Sequence, residues 1–561
     1  MMRKTYTVIL AAALLTAADA FGQNLDPTVV VDRAYEGTLM EVHKPAIEMA
    51  VPDTVMKFDL DFDYSVFDTP YKGSYEFKPY VLSMKPDASR DMSGNLYLKA
   101  GAGYQLHPVL DLIWSPDLKE GWSLDVYADH RSFIGKYHNL HDASDEAADT
   151  WSGHDLLSKA GAAAKYDWKR GSLDFGAGYY GVASRSFSWN RSYNAVDAFF
   201  SIVSKPFPGR PFFYSLEADY RFAGDALKGV PQISSLKENV FTVDGSVGRA
   251  FKAHKILFEA GADVSGYSNA PWRGAGQFYF EPVYEYRRNR FNVKLGVRLA
   301  KIFDSDEADG AYGAVDVEQV VYPDVRVEYM LVPDVLKIHA AVEGGNRINT
   351  YASLLDADHH MNPWSYQAGL SSPLDYTIVK ADVHAGLEGN AASRLSYSLS
   401  LGYCCYANAP LEAVAVSEGG AFVPFVGYAP YSKWYASLGL RWKSEDIMFD
   451  VSAGYDGIQG EAFLNEPYLL KPAALTGSAS FEYNWNRRIY AGADCVFSTA
   501  RKGNLYTASG YADLGLSAEY ALNRSLSFWC RAGNLLGMKI QHSPLHAEKG
   551  VYFTLGICLV L

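Results

Sequence analysis

The residues with the most obvious chemistry form one polar stretch, Asp356-Ala357-Asp358-His359-His360. Carboxylate oxygens and imidazole nitrogens are both metal ligands, and here they are nearly contiguous. Adjacent side chains of an extended chain point apart, so the run holds a metal only if the backbone turns sharply. A solvated loop tip is the simpler expectation, and no metal is assigned. The stretch from Asp304 to Gly310 carries the oxygens of a calcium loop, but its glycine comes one place late and no distal glutamate closes it. It reads as an acidic surface loop, as does the run from Asp142 to Asp149.

Nucleophilic catalysis needs serine, histidine and a carboxylate in register. His339 or His384 could each be set beside a serine, but with 13 histidines such sets arise by coincidence. No catalytic residue, no cofactor and no enzyme activity are therefore assigned. Gly101, Gly103, Gly176 and Gly178 resemble a phosphate loop only in composition; they sit in strand patterns, where glycine relieves crowding. The cysteines (Cys404, Cys405, Cys495, Cys530, Cys558) are odd in number, which does not suit a disulfide framework. Cys495 and Cys530 lie in strands and should behave as small apolar residues. A bond between Cys404 and Cys405 would join side chains on opposite faces of a strand.

The elements around these residues are strands. From Ala512, apolar residues take every second position (Leu514, Leu516, Ala518, Tyr520), with Asp513, Gly515, Ser517 and Glu519 between them. After Leu522-Asn523-Arg524 the alternation resumes, with Leu526 and Phe528 on one face and Ser527, Trp529 and Arg531 on the other. A period of two means a strand with one apolar and one polar face. The same pattern places Tyr214, Leu216 and Tyr220 against Glu217, Asp219 and Arg221, and Leu295, Val297 and Leu299 against Lys294 and Arg298. From 95–105 to 550–561 it recurs in about 22 candidate strands, the range expected of a large membrane barrel.

Composition agrees: aromatic residues make up 14% of the chain, with 40 Tyr and 48 Gly, while charged residues are 20%. Tyrosine, glycine and small polar residues suit antiparallel sheet. The net charge of −13 argues against a nucleic-acid partner, which needs a basic surface. Residues 1–22 read as a secretion signal, with Arg3 and Lys4, an apolar core from Val8 to Leu15 and the cleavage motif Ala18-Asp19-Ala20.

The connections alternate in length. Lys169-Arg170, Arg288-Asn289, Asn486-Arg487 and Leu522-Asn523 are short, whereas Ile134–Trp151, Ala223–Ser235, Phe303–Val315, Gly344–Asp375, Cys405–Ser432, Asp456–Leu469 and Gly533–Lys549 are long. Short turns at one end and long loops at the other belong to an outer-membrane barrel, and Trp122, Trp189, Trp434 and Trp485 near strand ends would form its interfacial girdle. The expected fold is all-β, a closed antiparallel transmembrane barrel over residues 94–561. Residues 23–93 form a periplasmic or lumen-filling segment, in which Met56–Val66 alternates as a strand with an acidic second face.

With outer-membrane lipid around the barrel, Leu514, Leu516, Leu526 and Phe528 should face lipid. Glu217, Asp219, Arg221, Lys294, Arg298, Asp513, Glu519 and Arg531 should face the lumen. A lumen of that width has to be filled, by the loops at 344–375 and 405–432, by the N-terminal segment or by a partner.

The strand number, the final strand at the C-terminus, the leader Asp26-Pro27-Thr28 to Tyr35-Glu36-Gly37, the run Phe58 to Tyr64 and Tyr71-Lys72-Gly73 together resemble TonB-dependent receptor-like barrels. The resemblance implies a barrel in the outer membrane of a Gram-negative bacterium that transports an unidentified solute. The segment 23–93 is shorter than the plug of that family, and Leu561 replaces its terminal aromatic. The alternative is a scaffold barrel that docks a periplasmic or surface lipoprotein.

Overall fold

The computed structural model describes residues 95–561, apart from several connections, of which 141–149, 305–319 and 363–373 are the longest. The signal at 1–22, the segment 23–93 with Met56–Val66, and the acidic loops at 142–149 and 305–310 lie outside the described residues.

A single antiparallel sheet of 22 strands runs from Leu96–Gly103 to Tyr552–Val560, each strand pairing with the next. The last strand pairs with the first, Tyr97 opposite Val560 and Gly103 opposite Thr554. Leu96 and Leu561 exchange backbone hydrogen bonds of 2.9 Å, so no edge is left unpaired and the sheet is a closed barrel. A separate ribbon, Arg501–Lys502 with Thr507–Ala508, stands outside the ladder.

The short turns form for local reasons. Asn486 and Arg487 both take positive φ, +52° and +56°, the backbone twist that suits a two-residue hairpin. Lys252 and Asn289 take φ of +53° in two further turns. The closing seam is packed by one aromatic ring. Trp529 lies across Gly556 and Gly101, where an added Cβ would come within 2.5 Å of the indole, and Lys99 stands 4.5 Å from the ring centre. Its Nε1 donates to Ile557 O at 3.2 Å.

Large apolar side chains on one face of the sheet are about half exposed, among them Leu216, Leu295, Phe280, Leu516, Phe528 and Leu555. The other face carries ion pairs that step from strand to strand. Lys294 reaches Asp324 at 2.5 Å and Glu281 at 3.6 Å, and Arg298 reaches Glu281 at 2.7 Å.

One expectation is corrected. Cys405–Ser432 is not a long loop: the strands Leu395–Val416 and Phe422–Lys443 run through it and leave only a short connection. The ladder shifts register between Tyr406 and Ala409, which breaks the alternation. Beyond that shift Leu411, Ala413, Ala415 and Phe425 pack with Phe463 and Leu469, and Val414 packs with Leu470 and Leu545, so apolar residues follow one another on both parities. A strand covered on both faces reads as a continuous apolar run. The cysteines are all free.

Candidate functional site

Two long-end connections fold back against the charged face of the sheet and meet there. The first contains a short helix, Tyr351–Ala357, capped by Thr350, whose hydroxyl accepts from Ser353 N at 3.1 Å. Tyr351, Ala352, Leu354 and Leu355 are buried. This apolar side packs on Tyr180, Val182, Tyr193, Leu227 and Leu236 of the wall. The first-turn N–H groups lack partners inside the helix. Tyr351 N donates to Tyr267 Oη, and Ala352 N donates to Glu238 Oε1, each at 3.1 Å.

Arg191 anchors the rest of this segment. Its Nε donates to Asp225 Oδ2 at 2.8 Å, Nη1 to His359 O at 2.9 Å, and Nη2 to Met361 O at 2.8 Å and to Tyr351 Oη at 3.0 Å. Both side chains of the ion pair are fully buried. Tyr351 Oη also donates to Asp225 Oδ2. A buried guanidinium is stable only when its donors are met, and here one side chain binds a carboxylate, a phenol and two carbonyls.

The second connection, residues 534–549, is tied by its own first residue. Asn534, at φ +48°, accepts from Met538 N at 2.9 Å and donates to Met538 O at 2.9 Å and to Lys549 O at 3.2 Å. The result is a compact loop with its ends together, and Ile540, Leu545 and Ala547 are buried. Arg501 braces it to the wall, pairing with Glu412 while donating to Gln541 O and, at 2.9 Å, to His542 O. Lys549 Nζ lies 3.2 Å from His107 Nε2 and 4.1 Å from the Tyr552 ring centre. Burial lowers the Lys549 amine to about 8 and raises the Glu548 carboxyl.

The two connections join at two contacts. Ser543 Oγ donates to Asp358 Oδ1. The His360 and His546 rings stack with centroids 3.5 Å apart and planes at 17°. Burial lowers His360 to about 3, with His359 and Arg191 adding to the effect, so its ring is neutral at ordinary pH. A neutral His360 ring can stack on its neighbour in a dry site without charge repulsion.

The stretch Asp356–His360 is thus not a solvated loop tip. Asp356 pairs with Arg221 at 3.3 Å, Asp358 accepts from Ser543 and His360 N, and His360 is buried. The wall supplies partners that the local sequence does not reveal. Among the described residues no three metal-ligating side chains converge. His339 and His384 lie edge to face at 5.9 Å, with Asp382 3.8 Å from His384 Nδ1.

Of the other candidate residues, Arg221 also pairs with Asp197 at 2.5 Å, and Lys294 and Arg298 share Glu281. Arg531 reaches Asp494 at 3.1 Å, Asp513 accepts from Asn534 N at 2.9 Å, and Glu519 accepts from Ser527. Glu217 and Asp219 stand opposite Asp244 and Thr242 in the ladder. Leu516 and Phe528 are exposed, while Leu514 and Leu526 are half-buried. Sequence reasoning missed Arg191, Asp225, Glu238, Asn534 and His546. The signal available was a set of apolar residues, Ile540, Leu545 and Ala547, inside a connection otherwise polar enough to be left in water.

No family model and no curated protein matches the sequence. Solved structures do. A ferric enterobactin receptor (PfeA) mutant from Pseudomonas aeruginosa is 11% identical, with 83% of this chain and 80% of that chain covered and a TM-score of 0.59. The copper transporter OprC is 12% identical, with 83% and 82% covered and a TM-score of 0.60. The ferric-catecholate import receptor Fiu from K12 E. coli is 8% identical, with 84% and 82% covered and a TM-score of 0.57. The resemblance to TonB-dependent receptor-like barrels therefore holds at the level of the fold, and the chain shares the architecture of these receptors and transporters.

Proposed function

We propose that the protein is an outer-membrane transport barrel for a small solute. Its charged face would line the lumen, and the connections at 349–362 and 534–549 would cap the mouth at the long-loop end. The observation that carries this reading is the joined pair of connections, held against the wall by Arg191 and Arg501. A scaffold needs no such buried fastening, whereas a wide pore must be kept from leaking.

On this reading Glu217, Asp219, Arg221, Lys294, Arg298, Asp513, Glu519 and Arg531 face the lumen, and Leu514, Leu516, Leu526 and Phe528 face lipid. The ion pairs among the first group and the exposure of Leu516 and Phe528 support that assignment. The outward apolar band matches a membrane's requirement, and the closed ladder leaves the spanning strands no open edge. Among the described residues no helix is long and apolar enough to cross a membrane, so strands would do the crossing. The likeness to receptors for iron complexes and to a copper transporter supports solute uptake.

Single-channel recording of the purified full chain in planar bilayers tests the proposal. The expected result is low conductance that rises when residues 351–362 are replaced by a Gly-Ser linker. A protein that inserts but stays silent with that linker, and also after deletion of residues 24–93, is not a channel.

A further inference from the structure

The chain carries a net charge of −13, yet the short-turn rim of strands Ser235–Phe251 through Phe291–Asp304 is densely basic. Arg249, Lys252, Arg287, Arg288 and Arg290 are all exposed there. The turns that carry them adjoin, since Arg287 N donates to Ala253 O at 2.7 Å. Among the described residues none of Arg249, Lys252, Arg287 or Arg288 has a carboxylate within ion-pair distance, and the nearby Glu285 is taken by Lys255 at 3.3 Å.

Aromatic rings sit among these cations. The Arg249 guanidinium lies 5.1 Å from the Phe212 ring centre and 4.6 Å from that of Phe251. His254 is 5.1 Å from the Tyr286 ring and accepts or donates a 2.6 Å hydrogen bond with Tyr284 Oη. Directly along the same face run Ile256, Phe258 and Phe280, exposed by 42%, 47% and 41%. The surface is therefore basic at its rim and apolar below it. A ligand that covers both parts must be amphipathic, with an anionic head.

We propose that this rim binds the phosphate headgroup of an anionic phospholipid. Arg249, Lys252, Arg288 and Arg290 meet the phosphate, and the acyl chains lie along Ile256, Phe258 and Phe280. The inference rests on the reading of the chain as a membrane barrel, and it places the lipid in the leaflet at the short-turn end. An acidic soluble partner would use the cations but leave the apolar strip uncovered. A neutral lipid would use the strip and leave the cations without a counter-charge. The juxtaposition thus selects a lipid and its charge together.

The test uses the full chain reconstituted into vesicles of equal phosphatidylglycerol and phosphatidylcholine, extracted gently and weighed by native mass spectrometry. Wild type should retain phosphatidylglycerol in preference to phosphatidylcholine. The double variant R249Q/R288Q should lose that preference by about fivefold or more, the scale expected for basic residues at an anionic surface. Arg524→Gln, at another turn, should not. Raising the salt concentration should weaken retention in wild type. Equal retention of both lipids by wild type, or an unchanged preference in R249Q/R288Q, overturns the headgroup site. So does displacement of phosphatidylglycerol by lipopolysaccharide at equal concentration, which would identify a lipid of the other leaflet. Failure of the wild-type protein to insert into the vesicles would instead overturn the membrane-barrel reading on which the site depends.

Discussion

Between the strands Phe291–Asp304 and Val321–Val332, successive residue pairs repeat one relation: Phe291 with Tyr329, Val293 with Val327, Leu295 with Val325. Between residues 351–362 and the wall no relation repeats. Arg191 makes three different hydrogen bonds there, Glu238 accepts from one backbone N–H, and each contact occurs once. The wall is redundant and the cap is not. Loss of one ladder contact leaves its neighbours in place, whereas loss of Arg191 removes the partner of Asp225 and two carbonyl bonds together. A wall of this kind tolerates polar change on one face and rejects charge on the other; a cap of this kind depends on a few atoms.

The largest expected effect would break the wall. Leu516→Arg puts a charge on the exposed apolar face, at a cost of about 2–4 kcal/mol near the bilayer midplane, and should block assembly into the outer membrane. Ser517→Arg, one residue on, should be tolerated because its side chain falls on the charged face. Membrane fractionation and heat-modifiable gel mobility report both. Equal outcomes would mean that the two faces are not lipid and lumen.

Arg191→Met separates the two regions. Removing one partner of a buried ion pair costs about 3–5 kcal/mol, because Asp225 is left buried without its counter-charge. The loss should fall on the cap alone. The variant should assemble as wild type does, yet show faster hydrogen exchange across residues 351–362 and higher conductance. If assembly fails instead, the cap is part of the barrel's own stability and the contrast drawn above is wrong.

The same contrast decides what could be read from the sequence. Each of the 22 barrel strands was legible as an alternation, because one face meets apolar surroundings and the other ions. The long-loop ends were read too short, most clearly at Leu395–Val416 and Phe422–Lys443. There the bulge after Tyr406 and the apolar packing on both faces remove the period. The candidate site was scarcely legible. His360 and His546 lie 186 residues apart (546 − 360) and meet only because two irregular connections fold against the same wall. Asp356 and Asp358 looked like a solvated acidic run because their partners, Arg221 and Ser543, are equally remote in sequence.

Acid should distinguish the regions without mutation. His360 is lowered to about 3 in the folded cap, against about 6.5 when the segment is released. Between those values the released form binds more protons at this ring, so the His360 contribution to cap stability is whole above about 6.5 and declines as the pH falls toward 3. The groups that act on this ring are His359 and Arg191, with His546 of the second connection stacked on it. Glu548 opposes the trend, and so do Glu238 and Glu412, which burial raises to about 7, since a raised carboxyl takes up a proton more readily in the folded cap. The His360 share of the exchange at 351–362 and 534–549, corrected for intrinsic rates, should accelerate on acidification while the strands stay protected. His360→Phe, which keeps a flat ring over His546, should flatten that dependence. An unaltered pH profile in this variant would assign the acid response to another group.

The smallest effect tests how the two connections communicate. Ser543→Ala deletes the hydroxyl that donates to Asp358, but Asp358 keeps the His360 N–H at 2.8 Å, so its carboxylate is not orphaned. The expected cost is about 0.5–1.5 kcal/mol, that of one hydrogen bond rather than of an abandoned charge. The direction of its spread is informative. If the connections act as one cap, exchange should quicken in both 351–362 and 534–549, although only one of them is altered. If each is held to the wall on its own, by Arg191 and by Arg501, only 534–549 should respond. Combining Ser543→Ala with His360→Phe then measures the coupling: two contacts in one interface give a non-additive sum, whereas independent fastenings add within about 0.5 kcal/mol.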